Sequence, residues 1–221
     1  MADDQRTPEP VEESIMQIAI IGAGNVGKAL ATSFARAGHE VTLAASSERS
    51  ARAAAEETGV GAASSAVDAT AGADVIVLAV PYVGAGEQVA AELSGVIGDR
   101  IVIDATNPIK PDYSGLAVSD TSAAETFQRL LPGAKVVKAF NTIFAGNQAS
   151  PSLDIDGFVA ADDAGAKQQV IGLVEAMGFT PVDAGPLAHA RFLEGMAWIN
   201  IGLNAANGWS WSSAWRLENK G

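Results

Sequence analysis

Six residues near the start of the chain, GAGNVG from Gly22 to Gly27, carry the spacing of a turn that can hold a phosphate. They follow the apolar run IMQIAII and open KALATSFARAG, where Leu30 and Phe34 sit at helical spacing. A Gly-x-Gly-x-x-Gly motif needs this strand, turn and helix context to mean anything. Gly22 then permits the tight turn, Gly24 lets a pyrophosphate approach the backbone, and Gly27 lets the helix pack close to the strand. The amides of Asn25 and Val26 face the phosphate from a helix N-terminus, where the macrodipole favours an anion. The spacing predicts dinucleotide binding.

The adenosine end of such a cofactor is read ~20 residues after the first glycine, where an acid that bonds the ribose selects NAD. Here Thr42 to Ala45 include no acid. Ser46, Ser47 and Arg49 offer two hydroxyls and a guanidinium to a 2′-phosphate, so NADP is expected, with NAD not excluded. Ser46 or Ser47 would serve equally as the N-cap of the following helix. Asn107 and Asn141 end two further strands on the same edge, which suits a ligand site, with loop capping as the alternative. Asp104 is expected to satisfy the amides of a nearby loop. Lys138 is expected to face an edge or to carry a snorkelling stem, with a catalytic lysine as the alternative, and His39 is expected in a solvated turn. His189 and Tyr82 are the candidate proton donors for an acceptor that needs one. The tryptophans at 198, 209, 211 and 215 read as core or interface. No residue is assigned as catalytic, and no metal site is expected.

These residues must be positioned by the alternation of short β-rich runs with alanine-rich helical ones from Ile15 onward. That alternation predicts an α/β fold: a Rossmann-like, doubly wound, mainly parallel sheet of about eight strands with a long C-terminal helix. ADVIVLAVP, 73 to 81, is apolar enough for the sheet centre. Thr121 is the expected N-cap of a helix with Glu125 near the capping-box position, and residues 145 to 156 read as a loop. One NADP-binding reductase domain, 15–207, is expected between a disordered acidic tail, 1–14, and a Trp-rich tail, 208–221. The C-terminal helix is expected to form half of a homodimer interface.

Composition narrows the partners. With 26 acidic against 14 basic residues the net charge is −12, a field that repels nucleic acid and anionic membrane surfaces. The chain has no cysteine and two histidines, which excludes disulfides, thiolate nucleophiles and Cys-built metal centres. No apolar run reaches the ~18 residues of a membrane span. MADDQRTPEPVEES does not resemble a secretory signal, so a cytoplasmic location is expected.

Several motifs together, IGAGNVGKAL, AGHEV, the ERSA run, VLAVPY, IDATNP, VVKAFNT and DAGPL before a long helix, support a wider comparison. They resemble the NADPH-dependent reductase family of the deazaflavin coenzyme F-420, whose nucleotide domain is similar to the cytoplasmic part of six-transmembrane metalloreductases. The resemblance implies hydride transfer between NADPH and a planar acceptor stacked on the nicotinamide, a reaction that needs alignment more than acid–base chemistry. By position it implies a pyrophosphate turn at Ala23, Gly24, Asn25 and Val26, and a nicotinamide wall at Val80 and Pro81. It adds Asn107, Asn141, Ile143 and Ala145 from the tips of the fifth and sixth strands. Coenzyme F-420 is the implied co-substrate. Another small-molecule acceptor (flavin, ferric chelate, imine or ketone) and a non-catalytic NADP-binding sensor are the alternatives. The family's Ser-Arg and following basic residue fall here on Ala45, Ser46 and Ser50, so no basic group is kept, and the loop NPIKPDYSG has Lys110 as its only cation.

Overall fold

The computed structural model describes residues 15–218; the acidic segment 1–14 and the last three residues lie outside them. Eight strands form one sheet: β1 (Gln17–Ile21), β2 (Glu40–Ala44), β3 (Gly61–Ala62), β4 (Val75–Leu78), β5 (Ile101–Asp104), β6 (Lys135–Lys138), β7 (Asp156–Ala161) and β8 (Thr180–Gly185). Their order is β3-β2-β1-β4-β5-β6-β7-β8, and every pairing is parallel except β6 with β7. The helices are α1 (Asn25–Arg36), α2 (Glu48–Thr58), α3 (Ala66–Thr70), α4 (Glu87–Leu93), α5 (Ala123–Leu130), α6 (Ala145–Ala149), α7 (Ala164–Ala176) and α8 (Ala190–Asn207).

Successive side chains of a strand point to opposite faces, so a strand buried on both must be apolar throughout. In β4, Val75 and Val77 enter a core with Leu30, Phe34 and Val170. Ile76 and Leu78 enter a second core with Leu93, Phe127 and Leu187. This two-sided packing is the doubly wound arrangement expected from the sequence. The chain leaves β1 for β2 on one side and returns from β3 to β4 on the other, so a crevice opens beyond the carboxyl ends of β1 and β4. Open α/β sheets bind ligands at such a switch point.

Four local expectations are corrected. The N-cap of α5 is Ser122, one residue past Thr121, because its hydroxyl accepts from the Glu125 amide at 3.0 Å and donates to the Glu125 carboxylate at 2.9 Å. Residues 145–156 are not all loop: α6 forms where the Gln148 side chain donates to the carbonyls of Phe140 and Ile143, each at 3.0 Å. His39 is buried rather than solvated, since its ring lies edge-on to Phe34 and accepts from the Met16 amide at 3.3 Å.

Lys138 is the largest departure. Because β7 and β8 extend the sheet past β6, its side chain is fully buried beneath α8 instead of facing an edge. Its Nζ donates to Asp104 Oδ2 at 2.9 Å, the Thr106 carbonyl at 2.7 Å and Glu194 Oε1 at 2.9 Å. All three ammonium protons are therefore used, a condition for tolerating a buried charge. Asp104 also accepts the Thr106 amide at 2.8 Å, the loop-capping duty expected of it. Glu194 Oε1 takes a further bond from the Ala123 amide at 2.9 Å, tying α8 to the start of α5. Burial holds the Glu194 carboxyl above the usual carboxylate range, and Asp104 pushes the same way. For Lys138, burial alone would lower the pKa, but Asp104 and Glu194 outweigh it and the net direction is upward.

Candidate functional site

The glycine turn separates into structural and open positions. Gly22 has φ 124°, and a Cβ there would lie 2.3 Å from the Ala79 carbonyl oxygen. A Cβ on Gly27 would lie 1.8 Å from the Gly22 carbonyl oxygen. Gly24 has an ordinary φ of −77°, and a Cβ on it would meet nothing within 4 Å. It caps α1 without a side-chain hydrogen bond. The amides of the first turn of α1, beginning at Asn25, thus have no side-chain cap.

Gly22, Ala23 and Gly24 line a cavity of about 650 Å³ over the crevice, together with Ser46, Val80 and Pro81. Of the residues expected at the adenosine end, Ser46 lies in this cavity. Ser47 instead N-caps α2, accepting from the Ser50 amide at 3.2 Å. Arg49 lines a separate groove along α2 beside Glu48, Arg52 and Glu56. Ser50, Ser64 and Ser65 do line the cavity, as do Gln88 and Glu92. Ser64 and Ser65 escaped sequence reasoning because a Ser-Ser pair before a short helix reads as a cap. Ser65 does cap α3, accepting from the Asp68 amide at 3.0 Å, and only the pairing of β3 with β2 carries the loop to Ser46. The Ser64 and Ser65 hydroxyls hold the Asp68 carboxyl below its ordinary pKa.

Asn107 and Asn141, expected on one edge, bond each other. Asn107 Nδ2 donates to the Asn141 carbonyl at 2.9 Å, and Asn141 Nδ2 to Asn107 Oδ1 at 3.0 Å. Phe140, just before Asn141, is buried with φ 64°. A bulky side chain persists in that region only where its surroundings impose it, a state found preferentially at functional sites. The two asparagines line a cavity of about 160 Å³ with Val26, Ile143, Phe144, Ala145 and Asn200. In its walls Asn141 Oδ1, Thr142 Oγ1 and Gln148 Oε1 are buried without a hydrogen-bond partner among the described residues.

A third cavity, about 320 Å³, is bounded by Pro81, Tyr82, Val83, Asn107, Lys110 and Tyr113. Pro81 is shared with the first cavity and Asn107 with the second, so the three form an arc along the strand ends. Burial raises the Tyr82 pKa, which keeps its hydroxyl protonated at neutral pH. His189 lines none of the three: its ring is held at 2.6 Å by the Ala184 carbonyl.

A glycine turn packed under a switch-point crevice of a doubly wound sheet suits a dinucleotide, and comparison with known proteins places the chain beside NAD(P)-dependent oxidoreductases. Residues 17–108 match a family described as "NADP oxidoreductase coenzyme F420-dependent". The structure is similar to that of a putative F420-dependent NADP-reductase from Arthrobacter sp. fb24, with a TM-score of 0.80, 29% identity, and coverage of 92% of this chain and 100% of that one. It is also similar to a hypothetical protein from Sinorhizobium meliloti, with a TM-score of 0.70, 34% identity, and coverage of 81% and 90%. The metalloreductase STEAP3 of Rattus norvegicus is 29% identical over 201 residues, which make up 88% of this chain. Over residues 17–108 the chain is thus similar to the coenzyme F420-dependent NADP oxidoreductase family. It spans only 39% of the length of the rat metalloreductase. Among the described residues no helix is long and apolar enough to cross a membrane.

Proposed function

We propose that the protein binds NADP(H) along the arc of cavities and transfers a hydride between it and a planar small-molecule acceptor, with deazaflavin coenzyme F-420 the first candidate. The observation that carries this reading is Gly24: an open glycine facing the 650 Å³ cavity at a helix N-terminus that no side chain caps. Backbone amides there bind a pyrophosphate. When bound, NADPH supplies the hydride. The chain's own residues orient it.

Gly22, Ala23 and Gly24, with the amides of Asn25 and Val26, hold the pyrophosphate. Ser46, Ser50, Ser64 and Ser65 surround the 2′-phosphate with hydroxyl donors, and among the described residues no cation lines that cavity. Val80 and Pro81 flank the nicotinamide, whose end is received by Asn107, Asn141 and Ala145. The acceptor occupies the cavity of Tyr82, Lys110 and Tyr113, where the ammonium of Lys110 favours an anionic substituent and the tyrosines and prolines suit a flat ring. Tyr82 retains its proton there and can donate a hydrogen bond to an acceptor oxygen or nitrogen.

The similarity to metalloreductases supports a ferric chelate as the second acceptor to test. Mixing the protein with NADPH and, in turn, coenzyme F-420, free flavin, a ferric chelate and a small imine separates the cases by loss of the reduced-nicotinamide absorbance. Turnover with coenzyme F-420 supports the reading. Turnover only with another acceptor reassigns the substrate, and tight NADPH binding without any turnover supports a sensor. A cytoplasmic homodimer is part of the same proposal: Phe192, Ile199 and Leu203, exposed by 57%, 55% and 42%, lie along one face of α8. Such a stripe is the usual signature of a subunit interface.

A further inference from the structure

We infer that the C-terminal segment 209–217 is a strap that sets the nicotinamide-end cavity by tying α6 to α8 across its rim; this rests on the cofactor reading above. Gly208, with φ 62°, ends α8 and turns the chain back over the helix. Trp211 then takes φ 59°, a strained conformation for so large a side chain, so its neighbours must impose it. Its amide donates to Asn204 Oδ1 at 3.1 Å, and its ring meets Phe144 edge-on with centroids 5.7 Å apart.

The next residues complete the tie. Ser213 Oγ donates to Asn200 Oδ1 at 2.6 Å and lies 2.6 Å from Asn204 Nδ2, which donates to it. On the other side, Asn147 Nδ2 of α6 donates to the carbonyl of Ser212 at 3.1 Å and of Ser213 at 3.3 Å. The Trp215 carbonyl accepts from the Asp156 amide at 3.0 Å, which anchors the strap's far end to β7. Phe144 and Asn200, each gripped by the strap, both line the 160 Å³ cavity. None of the residues lining the 650 Å³ cavity is held in this way. The strap therefore fixes the spacing of one end of the arc and leaves the other alone. Asn200 and Ser213 act as positioning residues.

Two probes separate this role from general stabilisation: NADPH, and 2′-phospho-ADP-ribose, which has the adenosine and pyrophosphate but no nicotinamide. Calorimetric titrations compare the full chain with a chain ending at Gly208 and with Trp211→Ala and Ser213→Ala. The expected result is an NADPH Kd raised about tenfold by strap loss, with the 2′-phospho-ADP-ribose Kd changed by less than about twofold. Thermal melting identifies a truncated chain that fails to fold, in which case the two point variants decide. Equal weakening of both probes, or no weakening of NADPH, overturns the strap. Failure of the full chain to bind either probe overturns the cofactor reading, and this inference with it.

Discussion

At Gly22 and Gly27 an added methyl group runs into backbone carbonyls, whereas at Gly24 it enters open space. The three glycines of one motif should therefore separate by measurement. Gly22→Ala and Gly27→Ala should each lower stability by roughly 2–4 kcal/mol in urea denaturation, the first also through its positive φ. Gly24→Val should cost less than about 1 kcal/mol, since only an exposed N-cap position changes. The glycines were legible in the sequence because their duties are local. The serine hydroxyls at 64 and 65 were not, because nothing local joins them to Ser46. The same geometry redirects the adenosine-end prediction. Arg49 lies in another groove, so Arg49→Ala should shift the NADPH-to-NADH affinity ratio by less than about twofold, while Ser46→Arg should raise it on the order of tenfold by adding a charge-assisted bond.

The strand tips that carry Asn107 and Asn141 rest on a buried ionic tie between β5, β6 and α8. Lys138→Met would leave two buried carboxylates without their cation and should destabilise the protein by about 3–5 kcal/mol, again by urea denaturation. Glu194 gives the tie a pH dependence. Its folded-state pKa is raised by burial, so the folded protein keeps a proton that the unfolded chain releases. Stability from this group falls as pH climbs from the ordinary carboxyl range through the raised value, then levels off. Glu194→Gln lacks that titration. Its stability relative to the parent should improve with rising pH across this window, and a difference independent of pH would contradict the assignment. Apolar runs such as VIVL announced the central strands. The lysine of VVKAFNT did not announce its burial, because that depends on two later strands extending the sheet. Nor did AGNQA announce α6, whose turn is held by Gln148 rather than by helix propensity.

For the whole molecule, the net charge of −12 gives an anionic acceptor no long-range help, so Lys110 must supply the local attraction. The exposed apolar stripe on α8 predicts a dimer by sedimentation, and Ile199→Glu should yield monomers that still bind cofactor. The alternation of strands and helices was enough to read the doubly wound sheet. The strap was not readable, because its serines and tryptophans acquire meaning only when α6 and α8 stand side by side. Occupation of the crevice over Gly24 by a dinucleotide can be measured by titrating NADPH into the parent protein and into Gly24→Val, with melting temperature recorded for both. Saturable binding by the parent, weakened at least about a hundredfold in a variant of unchanged melting temperature, is the predicted result. Absence of binding by the parent at millimolar NADPH, or undiminished binding by the variant, would contradict it.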